Sequence, residues 1–133
     1  MILLDTHTLL WMASDPKRLS KRAHDAIRDA RKVQARQDSG VAIATITLWE
    51  LAWLAQNGRI VVTGSVESFV RETVARVILR PVSPEITAFA VRLPKGFSRD
   101  PADRLITATA MVEGMALVTA DTHIRRAKVV DTV

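Results

Sequence analysis

Residues 2–6 read Ile2-Leu3-Leu4-Asp5-Thr6, and residues 116–121 read Ala116-Leu117-Val118-Thr119-Ala120-Asp121. Each is a short apolar run followed by a carboxylate and a threonine. Runs of this length, closed by polar residues, fit strands buried on both faces. Between them the pattern alternates. Thr6 is expected to cap a helix reaching about Ala13, and Ser14-Asp15-Pro16 to break it. Leu19, Ala23, Ala26, Ile27, Ala30 and Val33 recur at three- and four-residue steps and predict a second helix over 17–36. Gln37-Asp38-Ser39-Gly40 reads as a loop and Val41–Thr45 as a second strand.

The alternation continues. Thr47 is expected to cap a helix carrying Leu48 to Trp53, stopped near Asn57-Gly58. Residues 66–77 are amphipathic, Val77–Val82 suggests a third strand weakened by Pro81, and Pro84 starts a helix. After a loop over 93–100, Asp100-Pro101 opens a helix that Gly114 ends. The tail is expected to add a short helix and an edge strand. Strands alternating with helices predict an α/β chain, with a mainly parallel sheet of four to five strands covered on both faces. At 133 residues the chain suits one domain, 1–133.

Ligands of open parallel sheets sit beyond the carboxyl ends of the strands. Asp5 and Asp121 fall there. Glu50 and Asp103, on helices, can join them. Each acid has a local alternative. Thr47-Leu48-Trp49-Glu50 fits a capping box, which would occupy Glu50, and Asp103 suits the dipole of its own first turn. Asp100 is the better cap for that helix, which leaves Asp103 free. Four carboxylates gathered in a small cleft need a cation to stay ionised. All-oxygen donors suit Mg²⁺ or Mn²⁺, and such a site suits phosphodiester hydrolysis. Thr6, Thr45 and Thr119 are candidates to orient the carboxylates, with ordinary strand and cap usage the plainer reading.

The net charge of +5 is unevenly spread. Residues 17–36 hold eight basic and two acidic residues, while the other 113 carry eleven basic and twelve acidic ones. All of the excess therefore lies in one segment, where Arg18, Arg22 and Lys32 are candidates to hold a nucleic-acid backbone, with Arg104 beside the acids. A solvated helix face is the plainer alternative.

No cysteine is present, which excludes disulfides, cysteine zinc sites and thiol catalysis. No run of 18 apolar residues suggests a membrane span, and Met1–Asp5 lacks a signal peptide's basic start. A cytoplasmic protein is expected. Nucleotide-binding glycine loops, the nucleophile elbow and paired-histidine zinc patterns are missing. His7 is placed either to approach the acids or to stack on Trp11, while His24 and His123 read as surface residues. Trp49 and Trp53, four residues apart, are expected in the core or a subunit interface.

Ile2-Leu3-Leu4-Asp5-Thr6-His7, Thr47-Leu48-Trp49-Glu50, Asp100-Pro101-Ala102-Asp103-Arg104-Leu105-Ile106 and Leu117-Val118-Thr119-Ala120-Asp121 together resemble the PIN-domain proteins of the VapC toxin class, in order and spacing along nearly the whole chain. The resemblance implies a three-layer α/β/α fold and an Mg²⁺- or Mn²⁺-dependent endoribonuclease, the toxin of a toxin–antitoxin pair. By that likeness Asp5, Glu50, Asp103 and Asp121 are the site acids, Asp5 and Asp103 the most direct metal ligands. It further implies transfer or ribosomal RNA as substrate, a homodimer, and an antitoxin whose inserted segment would meet Trp11, Leu51 and Leu54. The rival reading is a non-catalytic interaction module, in which the acids are caps and the basic helix binds a partner or nucleic acid.

Overall fold

In the computed structural model of the chain, residues 1–32 and 40–133 are described. The four strands are β1 (Ile2–Leu4), β2 (Val41–Ala44), β3 (Ile78–Arg80) and β4 (Ala116–Val118). They form one parallel sheet in the order β3-β2-β1-β4. The register sets Leu4 beside Ile43 on one side and Val118 on the other. From β1 the chain steps outward through β2 to β3, then returns across the sheet to β4. The order therefore reverses between β1 and β4, and a crevice forms at such a reversal, beyond the carboxyl ends. Asp5 directly follows β1, and Asp121 lies just past β4.

Among the described residues, seven α-helices surround the sheet: α1 (Thr6–Ser14), α2 (Lys21–Lys32), α3 (Ile46–Gln56), α4 (Val66–Thr73), α5 (Pro84–Arg92), α6 (Pro101–Glu113) and α7 (Thr122–Ala127). Successive strand residues point to opposite faces. Leu3, Ala42, Ala44 and Leu117 meet Ile106 and Ala110 of α6 and Ile124 of α7. Leu4, Val41, Ile43 and Val118 meet Leu9, Ala23, Ile27 and Leu51 of α1, α2 and α3. Both faces are covered, so the strands read as unbroken apolar runs rather than alternating ones. This is the three-layer α/β/α arrangement expected.

Several boundaries differ from expectation for local reasons. Asp5, not Thr6, caps α1, its carboxylate accepting the Thr8 amide at 2.8 Å. Residues 17–36 are not one helix. A 3₁₀ turn over Pro16–Arg18 comes first, and Ser20 accepts the Ala23 amide at the start of α2. The stretch from Val33 to Ser39, with Arg36 and most of the expected loop, lies outside the described residues. Thr47 does not cap α3, because the helix already begins at Ile46 and Thr47 is fully buried inside it. α4 stops at Thr73 rather than 77. β3 ends at Arg80, because Pro81 has no amide to donate and the Val82 amide turns to the Thr45 hydroxyl at 3.2 Å. The expected last strand is a single parallel bridge between Leu117 and Thr132. Gly114 ends α6 at φ 68°, a conformation that favours glycine.

Candidate functional site

Asp5, Glu50, Asp103 and Asp121 line one cleft of about 410 Å³ at the β1/β4 reversal, together with Asp100, His7 and Trp11. Sequence reasoning assigned Asp100 only a capping role. It does cap α6, accepting the Ala102 amide at 2.9 Å, but it also faces this cleft. The signal was the Asp-Pro-Ala-Asp spacing. A helix N-cap and a first-turn residue three positions on lie on the same side of the turn.

A hydroxyl or amide holds each acid. The Thr119 hydroxyl donates to Asp5 Oδ2 and accepts the Asp121 amide at 3.0 Å, so one threonine ties the two strand-end acids together. The Asp121 carboxylate caps α7, taking the amides of His123 at 2.8 Å and Ile124 at 3.3 Å. The Thr6 hydroxyl donates to Glu50 Oε1 at 2.5 Å. It has one proton, so its 3.2 Å contact with the buried Thr47 hydroxyl must run from Thr47 to Thr6. Glu50 is thus not engaged in a capping box. Thr6 and Thr119 thus do bond acids, beyond ordinary strand and cap usage, while Thr45 instead terminates β3. The Ser98 hydroxyl donates to Asp103 Oδ2 at 3.1 Å and accepts the Asp100 amide at 3.1 Å, a role nothing in the sequence around Ser98 announced.

Burial raises the carboxyl pKa of Glu50, and the charges of Asp100 and Asp103 add to it against the opposing Thr6 bond. Burial likewise raises that of Asp103, with Asp100, Asp121 and Asp5 adding repulsion against the Ser98 bond. The cleft therefore concentrates negative charge at a cost that a cation would remove. Hard oxygen donors, one oxygen each of Glu50, Asp103 and Asp121 without a hydrogen-bond partner among the described residues, and mutual repulsion all fit Mg²⁺ or Mn²⁺. Among the described residues, no three of these acids already stand close enough to close a ligand shell.

The basic residues divide. Arg18 sits 4.8 Å from the centre of the ring of Trp11, and it is Trp11, not Arg18, that lines the cleft. Arg22 lines an adjoining groove with Arg125. Lys32 lines a separate cavity that shares no residue with the acid cleft. Arg104 does not reach outward. Its guanidinium donates to the carbonyls of Ser98 at 2.5 Å and of Ala90, Leu93 and Pro94 at 3.0 Å each, so it fastens the loop before α6. The helix N-terminus puts Arg104 beside Asp103 in sequence but aims it at the end of α5.

His7 and Trp11 stack at a tilt, 6.3 Å between ring centres. His123 is exposed, as expected, and its ring also bonds the Phe97 carbonyl. Trp49 is 61% exposed and Trp53 43%, so neither is core. Leu51 is, and takes no part in the groove of about 910 Å³ that Trp11, Trp53, Leu54, Ile60 and Phe69 line beside the acids.

Residues 2–130 match the PIN domain family. The chain is 40% identical over 124 residues to Ribonuclease VapC22 of Mycobacterium tuberculosis strain ATCC 25618 / H37Rv, covering 93% of this chain and 89% of that protein. A chain of VapBC2 from Rickettsia felis, solved bound to a DNA fragment from its promoter, superposes with a TM-score of 0.72 at 19% identity, over 100% of this chain and 98% of its own. A chain of DNA-bound VapBC from Salmonella typhimurium gives 0.71 at 17% identity, over 100% and 98%.

Proposed function

This chain belongs to the PIN-domain family, and on that footing we propose that it is a metal-dependent endoribonuclease, the toxin of a type II toxin–antitoxin pair. The observation that carries the chemistry is the convergence of Asp5, Glu50, Asp103 and Asp121 on one cleft. The residues that would hold the cation are Asp5 and Asp103, with Glu50 and Asp121 completing the set. When bound, Mg²⁺ or Mn²⁺ supplies an activated water and neutralises charge developing at phosphorus.

The chain's own groups do the rest. Thr119 fixes Asp5 relative to Asp121, and Ser98 holds Asp103. The relay from Thr47 through Thr6 stabilises Glu50 as a carboxylate against the burial that opposes it. Unpaired RNA is the favoured substrate, because its bases and backbone are open to a cleft at a protein surface. Transfer and ribosomal RNA both meet that description, and cutting either would arrest translation. The partner expected is an antitoxin, its apolar segment lying in the groove formed by Trp11, Leu54, Ile60 and Phe69. Work as a homodimer in the cytoplasm completes the proposal.

The test is cleavage of single-stranded RNA by purified protein with Mg²⁺, with Mn²⁺ and with chelator, beside Asp5→Asn and Asp103→Asn. Metal-dependent fragments that vanish in both variants are expected. Equal cleavage by the variants would remove the four-acid site. No cleavage by the folded, antitoxin-free protein would favour the interaction module.

A further inference from the structure

The groove of about 390 Å³ beside the acid cleft is lined by Arg18, Arg22 and Arg125, and it shares Trp11 and Ala120 with that cleft. Its charge is directed. On α2, Lys21 and Arg28 pair with Asp25 at 2.9 and 3.1 Å, and Arg28 also meets Asp29 at 3.3 Å. Arg18, Arg22 and Arg125 have no carboxylate partner among the described residues. The acids of α2 thus pair with Lys21 and Arg28 and leave Arg22, on the groove, without a carboxylate partner among the described residues.

Arg125 is also anchored. It donates to the Thr119 carbonyl at 3.2 Å, and the hydroxyl of the same Thr119 bridges Asp5 and Asp121. Arg18 is held over Trp11, the residue that separates groove from cleft. Two of the three guanidinium groups are therefore pre-positioned. A planar guanidinium is the side chain best matched to a phosphodiester oxygen pair.

We propose that Arg18, Arg22 and Arg125 form a phosphate subsite that takes the backbone of a single-stranded RNA on one side of the scissile bond. Placing cations beside the carboxylate cleft resolves a conflict in the site. The acids that gather a metal repel the substrate's phosphates, and an adjoining positive groove offsets that repulsion without entering the cleft. The subsite also gives the strand a direction, since the groove opens on the β4 side of the cleft. Two other cations of α2, Arg28 and Arg31, lie on a cavity that shares no residue with the acids.

The inference rests on the ribonuclease reading, and the experiment separates the two. A fluorescent, mixed-sequence single-stranded oligoribonucleotide is titrated in chelator at several salt concentrations, then cleaved with Mn²⁺. The proteins are wild type, Arg22→Ala, Arg22→Ala/Arg125→Ala, and Arg28→Ala/Arg31→Ala as a charge-matched control. Thermal melts check that each is folded; Arg22 is exposed, so its single variant stands if the double one does not fold. The salt slope is expected to fall by about 0.7 for each subsite arginine replaced, with affinity down several-fold. With Mn²⁺, KM should rise while kcat holds, the mark of binding common to ground and transition states. The control should keep the wild-type slope.

An equal fall in the control, or an unchanged slope in the subsite variants, overturns the subsite while wild-type cleavage leaves the nuclease standing. Loss of binding to an acidic peptide with RNA binding intact also overturns it, and assigns the groove to a protein. Failure of the wild type to bind or cut RNA removes both readings.

Discussion

Arg104 follows Asp103 in the first turn of α6, and its substitution tests how the cleft is held. Three of its four bonds, to Ser98, Ala90 and Leu93, are part-buried, and the one to Pro94 is exposed. The Ala90 and Leu93 carbonyls lie at the end of α5, where the dipole is negative, and Ala90 also accepts the Leu93 amide at 3.3 Å. A charge-assisted bond contributes about 1.5–3 kcal/mol. Three at the low end give about 4.5 kcal/mol, and water reaching the vacated carbonyls reduces that to about 3 kcal/mol. Arg104→Ala should therefore lower stability by about 3 kcal/mol and the melting temperature by roughly 10 °C. Arg104→Lys keeps the charge, but one ammonium cannot span four carbonyls, so about half the loss should remain.

Urea titration in chelator measures this, with an unchanged m-value showing that the native state is otherwise intact. Because Ser98 bonds Asp103, both variants should also weaken Mn²⁺ binding by about tenfold, read by titration calorimetry. Stability within about 0.5 kcal/mol of wild type for both variants would refute the clamp, since that is the scatter of ordinary surface substitutions.

Two further outcomes follow from the same geometry. Thr119→Val removes the hydroxyl that links Asp5 to Asp121 and should weaken Mn²⁺ binding by about 10–100-fold, measured by calorimetry, while the buried volume stays filled. The raised carboxyls of Glu50 and Asp103 mean that the folded chain binds more protons than the unfolded one just above the ordinary values of 4.5 and 3.8. Their contribution to stability is full below those values and is lost as pH rises through the higher folded ones. In chelator, Asp103→Asn should therefore gain stability over wild type at pH 7, and the gain should vanish as pH falls below about 4; saturating Mn²⁺ should reverse the order. Denaturation midpoints across pH check it.

The fold was legible because both sheet faces are covered. Apolar runs at residues 2–4, 41–44 and 116–118 fit doubly buried strands, and the helical periods between them pointed to parallel crossovers as the connection. What escaped was decided by single atoms. β3 was overextended because the fate of the Val82 amide depends on Thr45, far away in sequence. Thr47 looked like a cap because its burial depends on contact with Thr6, also distant. That four acids would meet in one cleft was legible from strand ends and spacing; that Asp100 lines it as well as capping α6 was not. Arg104 was misjudged because adjacency in a helix does not set direction. Neighbouring residues diverge by about 100°, so the side chain next to a site acid points elsewhere.

Asp5, Asp100 and Asp121 each cap a helix and also line the cleft. Cap and ligand are rival readings in the sequence, yet physically the two are compatible. An ionised carboxylate has about four acceptor positions. An amide or hydroxyl that takes one of them fixes the side-chain rotamer and leaves the others for a cation. The two roles separate by substitution. Asparagine caps as well as aspartate but carries no charge, whereas alanine does neither. Asp5→Asn and Asp121→Asn should therefore keep wild-type stability in chelator, while Asp5→Ala and Asp121→Ala should each lose about 1 kcal/mol. All four variants should lose Mn²⁺ binding. If the asparagine variants bound metal like wild type, the acids would be caps alone. If they were as unstable as the alanine variants, their negative charge toward the helix N-termini, rather than the hydrogen bond, would be what holds these turns in place.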